Sequence, residues 1–210
     1  MSEGGELAEF LRRVFERRSE QKAEKARDRR PSRVIGILGS ARQDGNTATL
    51  TSAVFQHLGD ARVIDLNDLS IEPYSYDNPH EADDFSALAQ LMAEADAIVF
   101  ASPVYWYSMS GPMKIFFDRL TNLTDFYKPL GRTLAGKSAF LIAASNSPAA
   151  PACFEPPFAE TARYFDMRWG GMLHARVQDR GNLPPDTTNM IKSFAANIQT
   201  SIEDEKQSAA

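Results

Sequence analysis

The chain has one cysteine, Cys153, and three histidines in 210 residues. One thiol cannot close a disulfide within the chain. Nor can it build a cysteine cage for a metal or an iron–sulfur cluster. A reducing, cytoplasmic setting fits that usage. His57, His80 and His174 are scattered, and no pair has metal-ligand spacing, so no metal site is expected. No apolar run approaches the length of a membrane span. The N-terminus is charged from its start and does not read as a secretory signal. An excess of basic charge is lacking too. Lys and Arg number 23 against 28 Asp and Glu, a net of −5, which argues against a nucleic-acid partner. With 43% hydrophobic and 24% charged residues, what remains is an ordinary globular composition. The length suits one domain with a real core and some extra chain.

Residues 6–30 lack glycine and proline and are dense in charge. Leu7, Phe10, Leu11, Val14 and Phe15 recur at helical spacing. Residues 1–32 are therefore expected to form a charged helical extension, packed on its own domain or on a partner subunit. Acidic and basic side chains are interleaved along it, which disfavours a helix lying on a membrane or on nucleic acid.

From Arg33 the rhythm changes. Short, nearly continuous apolar runs at 33–39, 61–66, 96–102, 137–145 and 171–177 read as buried strands. Helical patterns stand between and after them: 46–58 with Leu50, Val54 and Leu58; 83–95 with Leu88, Leu91 and Met92; 112–123; 158–168; and 186–202 with Met190, Ile191, Phe194, Ile198 and Ile202. The spacing predicts a cap for the second of these at Asp83 or Asp84. Strands alternating with helices predict an α/β domain, a parallel five-stranded sheet with helices on both faces. Right-handed crossovers leave few topologies, and 2-1-3-4-5 is the commonest. Ligands of such sheets bind beyond the carboxyl ends of the strands, beside strand one. The loops after strands one, three and four are then the informative ones.

The first loop reads GSARQDGNT, residues 39–47. Gly36, Gly39 and Gly45 do not have the G-x-G-x-x-G spacing of a dinucleotide site. Asn46 stands where a nucleoside-triphosphate loop needs lysine. Ser40, Thr47, Asn46 and Arg42 remain, at a helix N-terminus that favours an anion. A terminal monophosphate suits that set. A plain strand–helix turn capped by Asn46 or Asp44 is the competing reading.

The loop after strand three is more specific. SPVYWYSMSG, residues 102–111, puts Tyr105 and Trp106 just past a strand end, ahead of a helix with Lys114, Asp118 and Arg119. An aromatic-rich loop with backbone donors suits a planar heteroaromatic ring.

Together, G-S-x-R-x-x-G-N-T at 39–47, S-P-V-Y-W at 102–106 and M-K-x-F-F-D-R at 113–119 resemble the NAD(P)H-dependent FMN reductase family of the flavodoxin-like superfamily. The stretch from Asp83 to Trp106 is also similar to the family's iron–sulfur flavoprotein branch. The resemblance covers residues 33 to about 180. It implies a flavodoxin-like three-layer sandwich over residues 33–205, with FMN as cofactor and NADPH or NADH as co-substrate. Ser40, Arg42, Asn46 and Thr47, with the backbone at Gly45, would hold the FMN phosphate. Pro103, Val104, Tyr105 and Trp106 would lie along the isoalloxazine, mostly through main-chain contacts. Ser145 and Asn146 would close its other side. Main-chain N–H groups near 104–106 would favour the reduced flavin's negative charge. No side chain is required as an acid or base. The acceptor would be a small molecule: a quinone, free flavin, an azo or nitro compound, or a metal ion. A homodimer or homotetramer is the expected assembly.

The sequence departs from the iron–sulfur branch in one respect. The region before Asp83 has no cysteine, so flavin alone is expected. Two other functional readings remain. One is an FMN electron carrier without its own NAD(P)H turnover, though a net charge of −5 is mild for such a carrier. The other is a scaffold that has lost its ligand, against which both intact loops speak. Lys114, Asp118 and Arg119 are read as structural, and Cys153 as a bystander thiol. Trp169 is assigned to the core or an interface. Tyr74 and Tyr76 are left open as residues that could border the pocket.

Overall fold

The computed structural model describes residues 33–77, 83–177 and 181–208. The helix expected within 1–32, and His80, lie outside them. Five strands form one parallel sheet: β1 (Val34–Leu38), β2 (Ala61–Asp65), β3 (Ala97–Pro103), β4 (Ser138–Ser145) and β5 (Arg168–Arg176). Their order is β2-β1-β3-β4-β5, as the alternation predicts. The helices are α1 (Asn46–Phe55), α2 (Phe85–Glu94), α3 (Gly111–Arg119), α4 (Lys128–Arg132), α5 (Pro156–Tyr164) and α6 (Thr187–Ser208). A 3-10 turn at Leu66–Asp68 follows β2, and another at Leu120–Leu123 extends α3.

Both faces of the sheet are buried, which explains the unbroken apolar runs. Successive side chains of a strand point to opposite faces. Ile35, Ile37, Ile98, Phe100 and Leu141 meet α2, α3 and α5 through Phe85, Leu88, Met92, Phe116 and Phe158. Val34, Leu38, Val99, Phe140 and Ile142 meet α1 and α6 through Leu50, Val54, Ile191, Phe194 and Ile198. On α6, Met190 leaves the apolar stripe to which its spacing assigned it. It is 44% exposed.

Two boundaries differ from the sequence pattern. α5 covers Pro156–Tyr164, not 158–168, and β5 starts at Arg168, not at 171. The ladder between β4 and β5 slips between Ala139 and Leu141. Gly170 sits at that slip with no room for a side chain, since a Cβ would lie 2.0 Å from the Phe140 ring. Gly170 and Gly171 interrupt the apolar pattern and hide the strand's start.

Asp83 is not simply a cap. One of its oxygens accepts from the Phe85 N–H at 3.0 Å, but its carboxylate chiefly pairs with Arg119. Asp84 accepts from the Ser70 N–H at 2.6 Å.

Candidate active site

The carboxyl ends of β1, β3 and β4 frame one cleft. Leu38 pairs with Ala101, and Pro103 with Ala144, so the loops that follow leave the sheet side by side. Gly39 lies against α3, where a Cβ would come within 2.8 Å of the Met113 Cβ. Ser110 donates its hydroxyl to the Gly39 carbonyl and accepts from the Met113 N–H at 3.3 Å. It thereby caps α3 and ties it to the first loop. Ser102 Oγ accepts from the Ser110 N–H at 3.1 Å, completing a buried set of serines.

The first loop is braced internally. Ser40 Oγ donates to the Arg42 carbonyl at 3.0 Å and accepts from the Arg42 N–H at 3.3 Å. Asn67 donates to the Ser40 carbonyl from the turn after β2. Unlike α3, α1 has no side-chain cap: its N-cap is Gly45, and its first turn holds no acidic residue. The loop thus leads into a helix start that favours an anion. Neither Asn46 nor Asp44 is the cap that the plainer reading required.

The Asn46 side chain makes two contacts that the sequence does not reveal. Its Nδ2 donates to the Val177 carbonyl at 3.1 Å, and its Oδ1 accepts from the Gly181 N–H at 3.1 Å. Both ends of the side-chain amide reach the segment after β5.

The second loop is a tight reversal. The Tyr105 N–H donates to the Ser108 carbonyl at 2.9 Å, and the Ser108 N–H returns to Tyr105 at 3.0 Å. The two central residues, Trp106 and Tyr107, have φ of 48° and 68°. Such a two-residue turn normally takes asparagine and glycine, because other side chains are strained at positive φ. Trp106 is carried out to the tip and is 93% exposed. The Val104 N–H is also committed, to the Ala144 carbonyl at 3.2 Å. Two of the three main-chain donors expected near the ring are therefore already used.

Ser40, Arg42, Gly45, Asn46, Thr47, Pro103, Val104, Tyr105, Ser145 and Asn146 line a single cleft of about 430 Å³. Ala144 joins them, and Trp106 does not line it. The lining combines polar groups with the apolar surfaces of Pro103, Val104 and Ala144. That volume lies within the range of cofactor pockets.

A sequence model of the NADPH-dependent FMN reductase family matches residues 32–152. The chain belongs to that family. An NAD(P)H-dependent FMN-containing oxidoreductase of Bacillus subtilis by name, YwqN, is 28% identical over 173 residues, 78% of this chain and 93% of that one. An iron–sulfur flavoprotein of Archaeoglobus fulgidus is 30% identical over 116 residues, half of each chain. Among solved structures, the flavoenzyme NAD(P)H:(acceptor) oxidoreductase FerB of Paracoccus denitrificans superposes with a TM-score of 0.63 at 18% identity. The match covers 83% of this chain and 98% of FerB, and establishes the shared fold. The FMN complex of general stress protein 14 of Treponema denticola shares it too, with a TM-score of 0.54 at 18% identity over 82% of this chain and 99% of that one.

Within this family framework, several other residues now have places. Arg119 is buried and bound to Asp83 and to the Glu72 carbonyl, with the Phe85 ring 4.8 Å below its guanidinium. Lys114 and Asp118 form an exposed pair on α3 at 2.6 Å. Trp169 packs at the core's edge and donates to Glu155 at 2.8 Å. Cys153 is exposed, its Sγ 3.5 Å from the Tyr107 carbonyl, and does not line the cleft. Tyr74 and Tyr76 meet edge to face at 5.1 Å, and neither lines the cleft. Desolvation, with Tyr76 and Asp125 nearby, raises the Tyr74 pKa. Among the described residues, the histidine that touches a cleft residue is His174, whose Nε2 is 2.8 Å from Ser145 Oγ. Burial lowers its pKa. Only the pairing of β4 with β5 brings it there, so sequence spacing gives no signal for it.

Proposed function

We propose that the protein is an FMN-dependent NAD(P)H oxidoreductase that passes electrons to a small-molecule acceptor. One observation carries this reading. A single cleft joins an uncapped helix start, free of acidic residues, to an apolar wall at the carboxyl ends of the strands. These residues fit FMN. Ser40, Arg42, Thr47 and the main chain at Gly45 and Asn46 would hold the phosphate. Pro103, Val104, Tyr105 and Ala144 would flank the ring, and Ser145 and Asn146 would close the far side. When bound, FMN would supply hydride chemistry, taking hydride from the nicotinamide and releasing electrons to the acceptor. The protein's own part is to bind, orient and shield. Tyr105 is 46% exposed at the cleft mouth, where the second substrate would enter. The names of the relatives, an NAD(P)H-dependent oxidoreductase and an NAD(P)H:(acceptor) oxidoreductase, support an enzyme over a passive carrier.

The test is direct. The purified protein should be yellow and should release FMN on denaturation. Anaerobic mixing with NADPH or NADH should bleach it quickly, and the faster nicotinamide is the preferred one. A colourless protein that takes up no added FMN would sink the flavin reading. A yellow protein that neither nicotinamide bleaches at a useful rate would be an electron carrier.

A further inference from the structure

A second cavity lies beside the cleft. It measures about 570 Å³, and Pro148, His174, Arg176, Asp186 and Met190 help to line it. One hydrogen bond joins the two, because Ser145 lines the cleft and His174 lines its neighbour. We propose that Ser145 and His174 form a proton relay that feeds the acceptor during its reduction, a role that rests on the oxidoreductase reading above.

Stoichiometry creates the need. A hydride carries two electrons and one proton. A quinone that becomes a hydroquinone takes two electrons and two protons. One further proton must come from elsewhere: NAD(P)H + H⁺ + quinone gives NAD(P)⁺ + hydroquinone. No carboxylate, histidine or cysteine lines the cleft among the described residues. His174 reaches it through a single hydroxyl.

The hydrogen-bond geometry gives the relay a direction. Ser145 Oγ also accepts from the Ser147 N–H at 3.2 Å. When His174 is neutral with Nε2 bare, Ser145 donates its proton to that nitrogen. When His174 is charged, Nε2–H donates to Oγ, and both lone pairs of the oxygen are filled. The hydroxyl proton must then turn away. Among the described residues it finds only the Ser147 carbonyl, at a long 3.4 Å. An acceptor oxygen in the cleft is the better partner. In the transfer, the Oγ–H proton goes to that oxygen while the Nε2 proton moves onto Oγ. Ser145 is restored, and His174 is left neutral until water in the second cavity protonates it again. The charged groups sharing that cavity are Arg176 on β5 and Asp186 ahead of α6. The end of β4 brings Ser145 and the loop after it Ser147 and Pro148, none of them charged. Burial lowers the His174 pKa, which makes its charged form a readier donor.

Two measurements test the relay. The first is the NMR titration of the His174 ring in protein stripped of cofactor. The midpoint should lie below about 6.5. In Ser145→Ala it should fall further, since the bond from a charged donor is the stronger of the two that the hydroxyl makes. An unmoved midpoint overturns the pair. The second compares reduction of benzoquinone, which needs protons, with reduction of ferricyanide, which needs none, across pH in the FMN-loaded protein. In the parent protein the benzoquinone-to-ferricyanide rate ratio should fall as pH rises through the His174 midpoint. His174→Gln keeps a hydrogen bond but cannot titrate. Its ratio should be flat over that range and at least about tenfold lower at its acid end. A ratio in His174→Gln that keeps the parent pH dependence overturns the relay alone. Failure to take up FMN, or to be reduced by either nicotinamide, overturns the functional reading and this role with it.

Discussion

Arg119 is 1% exposed, and its partner Asp83 is 8% exposed. Burial by itself raises the Asp83 pKa. Hydrogen bonds from Arg119 and from the N–H groups of Glu72 and Phe85, with the charge of Arg119, outweigh that and hold it below the ordinary value. The pair pins the strand-two loop to α3. Asp83→Ala would leave a buried guanidinium without its counter-ion and should cost about 3–5 kcal/mol in urea unfolding. The pH dependence has a definite sign. A carboxylate with a depressed folded pKa contributes fully above its unfolded value, about 3.9, and loses that contribution as pH falls through the folded pKa. The gap between the parent protein and Asp83→Ala should therefore narrow toward strong acid. The sequence shows Asp83 as a cap because caps are local. Its partner is 36 residues away, and no spacing rule connects them. Asn46 carries a similar lesson: its neighbours after β5 are more than 130 residues distant. Arg42→Ala, at an exposed site, should weaken FMN retention and leave thermal stability unchanged. Asn46→Ala should weaken both, with a stability loss of about 1–2 kcal/mol from its broken main-chain bonds. Equal stability in the two variants would show that the Asn46 bridge contributes nothing.

At the scale of elements, the alternating pattern carried most of the fold. All five strands and their order were legible because buried parallel strands are apolar without interruption. α4 was not. It has five residues, among them a proline and a glycine, too few for any period to show. The loops after β1 and β3 were singled out by their residue types, and both line the cleft, but their local geometry was not legible. The turn at Tyr105–Ser108 holds two aromatic residues at positive φ, which composition cannot reveal. Replacing the pair with Asn-Gly, Trp106→Asn with Tyr107→Gly, should relieve strain and stabilise the fold by about 1–3 kcal/mol in thermal unfolding. A lower melting temperature would mean that the aromatic pair is better accommodated than its backbone implies. The approach of β1 to α3 admits no side chain at Gly39. Gly39→Ala should cost about 1–3 kcal/mol by overpacking against Met113. The loss should be partly recovered when Met113 is shortened in the same chain, since neighbouring changes are not additive.

Over the whole described domain, the cleft and the Asp83–Arg119 pair occupy opposite ends of α3. Ser110 starts the helix beside Gly39, and Arg119 ends it at the loop that carries Glu72. Tyr74, with Asp125 among its electrostatic neighbours, belongs to the second end. Among the described residues, no helix is long and apolar enough to cross a membrane. A ligand that binds only the folded state stabilises the whole domain. FMN at a hundredfold excess over its Kd should add about 2.7 kcal/mol and raise the melting temperature, with the gain lost on its removal. An unchanged melting temperature at saturating FMN would count against the cleft as its site. The exposed tip has an optical consequence. The chain contains two tryptophans, Trp106 and Trp169. Trp106 stands almost wholly in solvent, while Trp169 is half-buried and hydrogen-bonded to Glu155. Their fluorescence should therefore separate into a red-edge emission, open to collisional quenchers such as acrylamide, and a bluer, sheltered one. The red component reports from the residue next to Tyr105, so its loss of intensity on titrating a yellow chromophore would serve as a built-in gauge of cleft occupancy.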